Sequence, residues 1–316
     1  MRFPIAFFLT LVISAACASA DQASSGSLKL KTDPAGVAVQ LGDSPVVQYQ
    51  VQSVPFKPYV KQFLSPKGIN ILRDAPHDHL HHHALMFAIA ADGVDFWSET
   101  PGCGKQLHRS FDGPQATGSN GHRTVGIGEH LDWVSAKDEP ILREDRFLCV
   151  DQSADQAASL LTWRTTLQPA QGKTEVKLTG SHYFGLGVRF LESMDKDGKW
   201  IYPEKKSDPV VVRGDERLIR ATWCAYTAIA DGKDVTIAMF DDPDNSRHPA
   251  TWFTMTQGFS YISATLNLWK EPLTLKANEK LSLRYGVAVW DGQVDANAID
   301  TLYRKWVQMV DRTKKE

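Results

Sequence analysis

Short apolar, β-branched and aromatic runs follow one another along this chain, separated by Gly, Pro and Asp-rich punctuation. They predict strands at residues 28–31, 37–41, 46–51, 69–72, 82–89, 146–150, 160–167, 174–178, 210–212, 235–240 and 281–290. The stretch 174–178 alternates as a half-buried strand does, whereas Val287-Ala288-Val289-Trp290 predicts a strand covered on both faces. Asp195-Lys196-Asp197-Gly198 predicts a hairpin turn, since a calcium loop would need a third acidic ligand position and a distal glutamate. Only the end has helical spacing: Asp295 can cap a segment in which Ile299, Leu302, Tyr303, Trp306 and Met309 recur mostly at three- and four-residue steps. Repeats and interdomain linkers are absent from the pattern. The expectation is an all-β protein, one large antiparallel β-sandwich domain over 28–312 with a C-terminal helix, then a solvated tail at 313–316.

Residues 1–20 are not part of that fold. Arg2, the apolar run 3–16 and Ala18-Ser19-Ala20 have the order of a secretory signal peptide, and a flexible leader follows at 21–27. The protein is therefore expected in the periplasm or outside the cell. Cys17 resembles a lipoprotein processing site weakly, because the usual leucine three positions earlier is missing. No later run is long and apolar enough to predict a transmembrane anchor. A net charge of −2 argues against nucleic acid as a partner. Cys103, Cys149 and Cys224 allow one disulfide at most and no cysteine zinc site.

Chemistry concentrates at residues 74–99. Five of the ten histidines (His77, His79, His81, His82, His83) fall within seven residues, directly before an apolar run. Buried imidazoles each need a partner for both ring nitrogens, so five together make a poor core and a good acid/base or metal site. If the segment is extended, His77, His79, His81 and His83 share one face and His82 takes the other. Beyond His82 the even positions (Ala84, Met86, Ala88, Ala90) are small or flexible and the odd ones (Leu85, Phe87, Ile89) bulky. The bulky face suits a sheet-to-sheet core, and the small face leaves room for a ligand with His82 at its rim. An Asp92-Gly93 turn then brings back Asp95, Trp97 and Glu99.

Elsewhere, Glu144 and Arg146 share a strand face, as a salt bridge or as a base aimed into a cleft. His108 stands in a loop-like setting, and Tyr226 lies on an aromatic strand. Arg247 and His248 sit in a polar knot at 241–249, where the arginine could fork onto a carboxylate or vicinal hydroxyls. Nucleotide-binding and hydrolase signatures are missing: Gly185-Leu186-Gly187 lacks a third glycine, and there is neither Gly-x-Ser-x-Gly nor His-Glu-x-x-His.

Several blocks taken together resemble a bacterial family labelled "PmoA" or "methane oxygenase", common in planctomycetes. They are Lys57-Pro58-Tyr59, Ser65-Pro66-Lys67-Gly68, Arg73-Asp74-Ala75-Pro76-His77-Asp78-His79, His81-His82-His83-Ala84-Leu85 and Gly93-Val94-Asp95-Phe96-Trp97, with His108, Trp223-Cys224, Asn245-Ser246-Arg247-His248-Pro249 and Asp291-Gly292. The label does not describe this chain's chemistry, because a membrane methane-oxidising subunit needs spanning helices. The resemblance implies work on saccharides, since such proteins tend to be encoded beside sugar oxidoreductases. The sequence departs from the family pattern at Ala84, where glycine is expected, at Ala225, where an acidic residue is expected, and at Phe253, where histidine is expected.

The leading expectation is an exported carbohydrate-active enzyme, similar by analogy to sugar mutarotase sandwiches, doing acid/base chemistry such as epimerisation or elimination on an oxidised sugar. His82 or His83 would be the acid/base, with Glu99 or Glu144 as carboxylate partner. Trp97, Asp95, Arg247, His248 and Tyr226 would hold the substrate. His79, His81 and His108 would be the ligands of any divalent metal (Zn, Fe or Mn), and no nucleotide cofactor is expected. The alternatives are a non-catalytic glycan-binding sandwich and a metal-dependent oxygenase.

Overall fold

The computed structural model describes residues 27–52, 56–119, 122–153 and 157–312. The leader expected at 21–27 lies outside them except for Ser27, as do the signal segment and the tail.

Every strand ladder among the described residues is antiparallel, and two large sheets face each other. The ten-stranded sheet runs in the order Leu28–Asp33, Gly36–Leu41, Ser44–Gln50, Tyr59–Phe63, Leu85–Ala88, Gly185–Arg189, Tyr261–Thr265, Thr251–Met255, Arg217–Arg220, Val210–Val211. The nine-stranded sheet runs Lys199–Ile201, Trp223–Ala230, Lys233–Asp241, Leu281–Asp291, Ala158–Pro169, Pro140–Ser153, His122–Val134, Lys105–Phe111, with Gln115–Ser119 also paired to His122–Val134. A small third sheet joins Leu273–Lys276, Glu175–Thr179, Ala90–Ala91 and Val94–Asp95. This is a large antiparallel β-sandwich with one C-terminal helix, as the pattern of short runs predicts.

Large aromatic side chains fill the gap between the sheets. Tyr49 meets Trp163 edge-on at 6.3 Å, and Phe87 meets Trp133 at 6.0 Å. The helix Ala296–Arg312 lies on the outer face of the nine-stranded sheet, and Asp295 caps it by accepting the Ala298 N–H at 2.9 Å. Ile299 and Trp306 are fully buried there against Ala225, Ala238 and Ala288, whose small side chains let the helix approach, and against the ring of Phe240.

Four expectations need correction. The stretch 69–72 makes only isolated bridges, at Asn70 and Leu72, and His108, expected in a loop-like setting, lies within strand Lys105–Phe111. The strand expected from His82 starts at Leu85, because the histidines turn instead of extending. Asp195–Gly198 is a bend but not a hairpin: the strands either side of it, Gly185–Arg189 and Lys199–Ile201, belong to different sheets. The Asp92-Gly93 turn does close a two-residue hairpin, with both residues at positive φ (49° and 77°). Cys103, Cys149 and Cys224 are all free thiols, and no helix among the described residues is long and apolar enough to cross a membrane.

Candidate functional site

The histidine block folds into a tight double turn. The His79 N–H donates to the Pro76 carbonyl and the His82 N–H to the His79 carbonyl, both at 2.9 Å, and the Ala75 N–H closes the neck on the His82 carbonyl at 3.0 Å. The neck is clamped by the end of strand Gly185–Arg189, where Arg189 N–H donates to Ala84 and the Arg73 N–H donates to Arg189. Ala75 and Ala84 accordingly take left-handed φ values of 41° and 45°. The even-odd alternation expected of an extended segment is lost, and His79, His81 and His82 pack on one another. His79 stacks on His82 at 4.6 Å, and His81 meets His82 edge-on at 4.5 Å.

His83 sits just beneath this turn and is held from both sides. Its Nδ1 is 2.8 Å from Asp74 and its Nε2 is 3.1 Å from Glu99. The Tyr59 hydroxyl donates to the other Asp74 oxygen at 2.7 Å while its ring stacks on the imidazole at 4.5 Å. The ammonium of Lys57, wholly buried, donates to Glu99 at 2.5 Å. Burial opposes charge on His83, but the hydrogen bonds from Asp74 and Glu99 outweigh it and raise its pKa. Asp74 and Glu99 resist the upward pull of burial and are lowered, chiefly through His83. Lys57 is lowered by burial, with Glu99 limiting the fall.

The neighbouring imidazoles behave in the opposite way. His82 is 6% exposed, hemmed by His79, His81, Phe259 and Tyr261, and burial followed by the charges of His81 and His79 pushes its pKa down to about 2. His81 is half-buried and lowered by burial, then by Lys57 and His79, against Glu99 and Asp95. His79, also half-buried, pairs with Asp78 at 3.0 Å. The turn therefore presents two half-exposed imidazoles, His79 and His81, above a buried chain of alternating charge: Asp74, His83, Glu99, Lys57.

The other residues singled out in the sequence do not stand at the open face of the histidine turn. Trp97 is fully buried with Phe184 stacked flat on it at 5.0 Å, so it offers no open face to a sugar ring. Asp95 accepts the N–H groups of Trp97 and Ser98 and shapes that loop. Tyr226 is buried, its hydroxyl on Ser260 and the Met194 carbonyl. Glu144 is not aimed into the histidine site. It accepts from Trp133, Thr165 and two nitrogens of Arg146 within the core. Arg146 reaches on to Tyr49 of the facing sheet, Tyr49 donates to Glu129, and Glu129 bonds His108 at 2.7 Å.

His108 is thereby spent on Glu129, and among the described residues no three His, Cys, Asp or Glu side chains converge to hold a metal. The ligand set His79, His81 and His108 is not assembled. Arg247 grips the carbonyls of Leu266 and Glu271 at 2.5 and 2.7 Å and lines a separate cavity of about 180 Å³ with Arg220, Asp241 and Asn267. His248 pairs with the buried Asp241 at 2.6 Å, and that hydrogen bond raises its pKa.

Four site residues escape a reading of the sequence as a histidine run: Lys57, Tyr59, Asp74 and Arg189. The first three carry a signal, as a lysine and a tyrosine entering a strand and an acid three residues before the first histidine. Arg189 is the one charge in the run Gly185–Phe190.

An all-β sandwich with a buried ion chain under a histidine turn defines the class. The chain belongs to DUF6807, a family of unknown function, whose pattern it matches over residues 36–304. A comparison with curated proteins found no match. Among solved structures the chain is similar to the GH36 α-galactosidase AgaB from Geobacillus stearothermophilus, with 11% identity and a TM-score of 0.50 over 84% of this chain and 41% of that one. An α-galactosidase from Lactobacillus brevis gives 8% identity and a TM-score of 0.44, over 85% of this chain and 40% of that one. The chain thus spans less than half the length of these enzymes, and at such identity the likeness is one of fold.

Proposed function

We propose that this protein is an exported acid–base catalyst acting on a saccharide, with His81 and His79 as the groups that meet the substrate. One observation carries the reading: two half-exposed imidazoles stand over a buried Asp74–His83–Glu99–Lys57 chain. His83 has both ring nitrogens engaged by carboxylates, so it is a positioning residue that holds Glu99 and Asp74. His81 has a lowered pKa and is free of charge at neutral pH, as a general base must be. On an oxidised sugar His81 takes the proton from the carbon beside the carbonyl, and the C–H electron pair enters the enolate. Return of a proton to the opposite face inverts that carbon. Alternatively the enolate pair forms a C=C bond while the β C–O bond breaks, and the departing oxygen takes a proton from an acid. The sugar-acting neighbours of the same fold and the resemblance to the "PmoA"-labelled family support a saccharide ligand.

The test is incubation of residues 21–316 with 3-keto glycosides in heavy water, following deuterium uptake and product formation. Exchange is expected in the native protein, with His81→Ala slowing it about 10²–10⁴-fold. Tight saccharide binding without exchange or turnover would overturn catalysis in favour of a glycan-binding sandwich.

A further inference from the structure

Arg189 is buried to 1% exposure, and its Nε and Nη1 have no hydrogen-bond partner. Its nearest carboxylate, Asp195, is 4.0 Å away and already accepts the Ser260 N–H at 2.7 Å. Phe259 covers the guanidinium face at 3.7 Å. A buried cation left so poorly compensated costs several kcal/mol in an ordinary core. It is also not alone. His82 Nδ1, the Tyr261 hydroxyl and Trp97 Nε1 are likewise buried without partners.

These groups are neighbours. The Tyr261 ring lies 5.4 Å from His82, 6.2 Å from Trp97 and 6.4 Å from Phe259. Arg189 and Tyr261 are paired across adjacent strands. Gly187 makes the arrangement possible, because a Cβ there would lie 1.7 Å from the Tyr261 hydroxyl. Arg189, Tyr261 and His82, with one net positive charge among them, thus lie together around Phe259 beneath His79, whose ring meets Phe259 edge-on at 4.8 Å, and Trp97 stands beside them. An apolar core would not collect them, whereas a singly charged acceptor with two oxygens offsets the guanidinium charge and takes hydrogen bonds from several of them.

We infer that this spot receives a carboxylate, and that the saccharide handled at the histidine turn is a sugar acid of the uronate class. The inference rests on the saccharide reading above and names its substrate class. The carboxylate lies on Arg189 and Tyr261, the sugar ring extends outward past His79, and the carbon beside the carboxylate comes under the half-exposed imidazoles.

Calorimetry and thermal shift with galacturonate, glucuronate, galactose, glucose, sodium chloride and inorganic phosphate test this. Both uronates are expected to bind at least about tenfold more tightly than the neutral sugars, a difference near 1.4 kcal/mol. Arg189→Met abolishes that preference while leaving the unliganded protein at least as thermostable as the native one, since it removes an uncompensated charge. Tyr261→Phe, which deletes only a hydroxyl, weakens uronate about five- to tenfold and serves if the arginine variant does not fold. Equal affinity for neutral sugars overturns the inference, as does stabilisation by chloride or phosphate as large as by uronate. Uronate binding unchanged in the folded variants does the same. Uronate binding without turnover would leave this inference standing and sink the catalytic proposal. Turnover of neutral sugars with equal ease would do the reverse.

Discussion

His83 binds its proton more tightly than an ordinary histidine and His82 less tightly, although they are adjacent, because two carboxylates reach one ring and only other rings and cations reach its neighbour. The difference has a pH signature. Below pH 6.5 an unfolded chain protonates His82, while the folded chain refuses that proton until about pH 2, so the stability from this residue is full above 6.5 and falls in acid. His83 works the other way: its contribution is whole below 6.5 and is lost as pH rises through its raised folded value. For His82→Phe, urea unfolding at pH 5 and pH 7 is expected to show about 2 kcal/mol less acid destabilisation than the native protein, at about 1.4 kcal/mol per pH unit below 6.5. The backbone of the same turn holds a second residue-scale prediction. Ala84 sits at φ 45°, where an L-residue is strained, so Ala84→Gly should gain about 0.5–1 kcal/mol in chemical denaturation. That a family expectation of glycine falls on this residue was visible in the sequence. Its reason, a chain reversal clamped by Arg189, was not.

At the scale of elements, many strands were legible as runs, but His122–Val134, with glycines, a histidine and acids among its apolar positions, was not, and neither was what the strands carry. Glu144 and Arg146 do share a face of one strand, as alternation requires, yet which sheet covers that face is settled only when Tyr49 arrives from the facing one. The result is a polar bridge across the core, buried throughout except at His108. Removing the central cation leaves Glu144 buried without its ion-pair partner, so Arg146→Met is expected to cost about 3–5 kcal/mol in equilibrium unfolding. The helix shows the opposite balance. Its cap, its period and its buried stripe were all readable, because helical spacing and an N-terminal aspartate are local properties. Several shorter strands, such as Tyr261–Thr265 and Thr251–Met255, escaped the pattern since both their faces are covered and alternation fades.

Across the whole molecule, the two large sheets divide the labour. The nine-stranded sheet receives the helix, and the ten-stranded sheet carries the histidine turn at one end of strand Gly185–Arg189. The Arg247 cavity is built at the other end of the neighbouring strand, around Thr265, which pairs with Gly185. The two polar regions therefore lie apart by about four residues of strand, roughly 13 Å, and His248 does not join the histidine turn. Deleting residues 296–312 would uncover Trp223, Phe240 and Trp290 together. That variant is expected to self-associate at concentrations where the full chain is monodisperse, as light scattering would show.

The sequence alone was sufficient for the all-β class, the C-terminal helix and the place where imidazoles and carboxylates cluster, since these follow from local period and from residues too polar to bury casually. Tertiary structure alone decided which imidazole binds its proton more tightly, which acid stands beside it, and that Arg189, Tyr261 and His82 lie together. Those are contacts between residues tens to hundreds of positions apart. A proton's affinity depends on the charges and burial around it, and such surroundings exist only once the strands have paired.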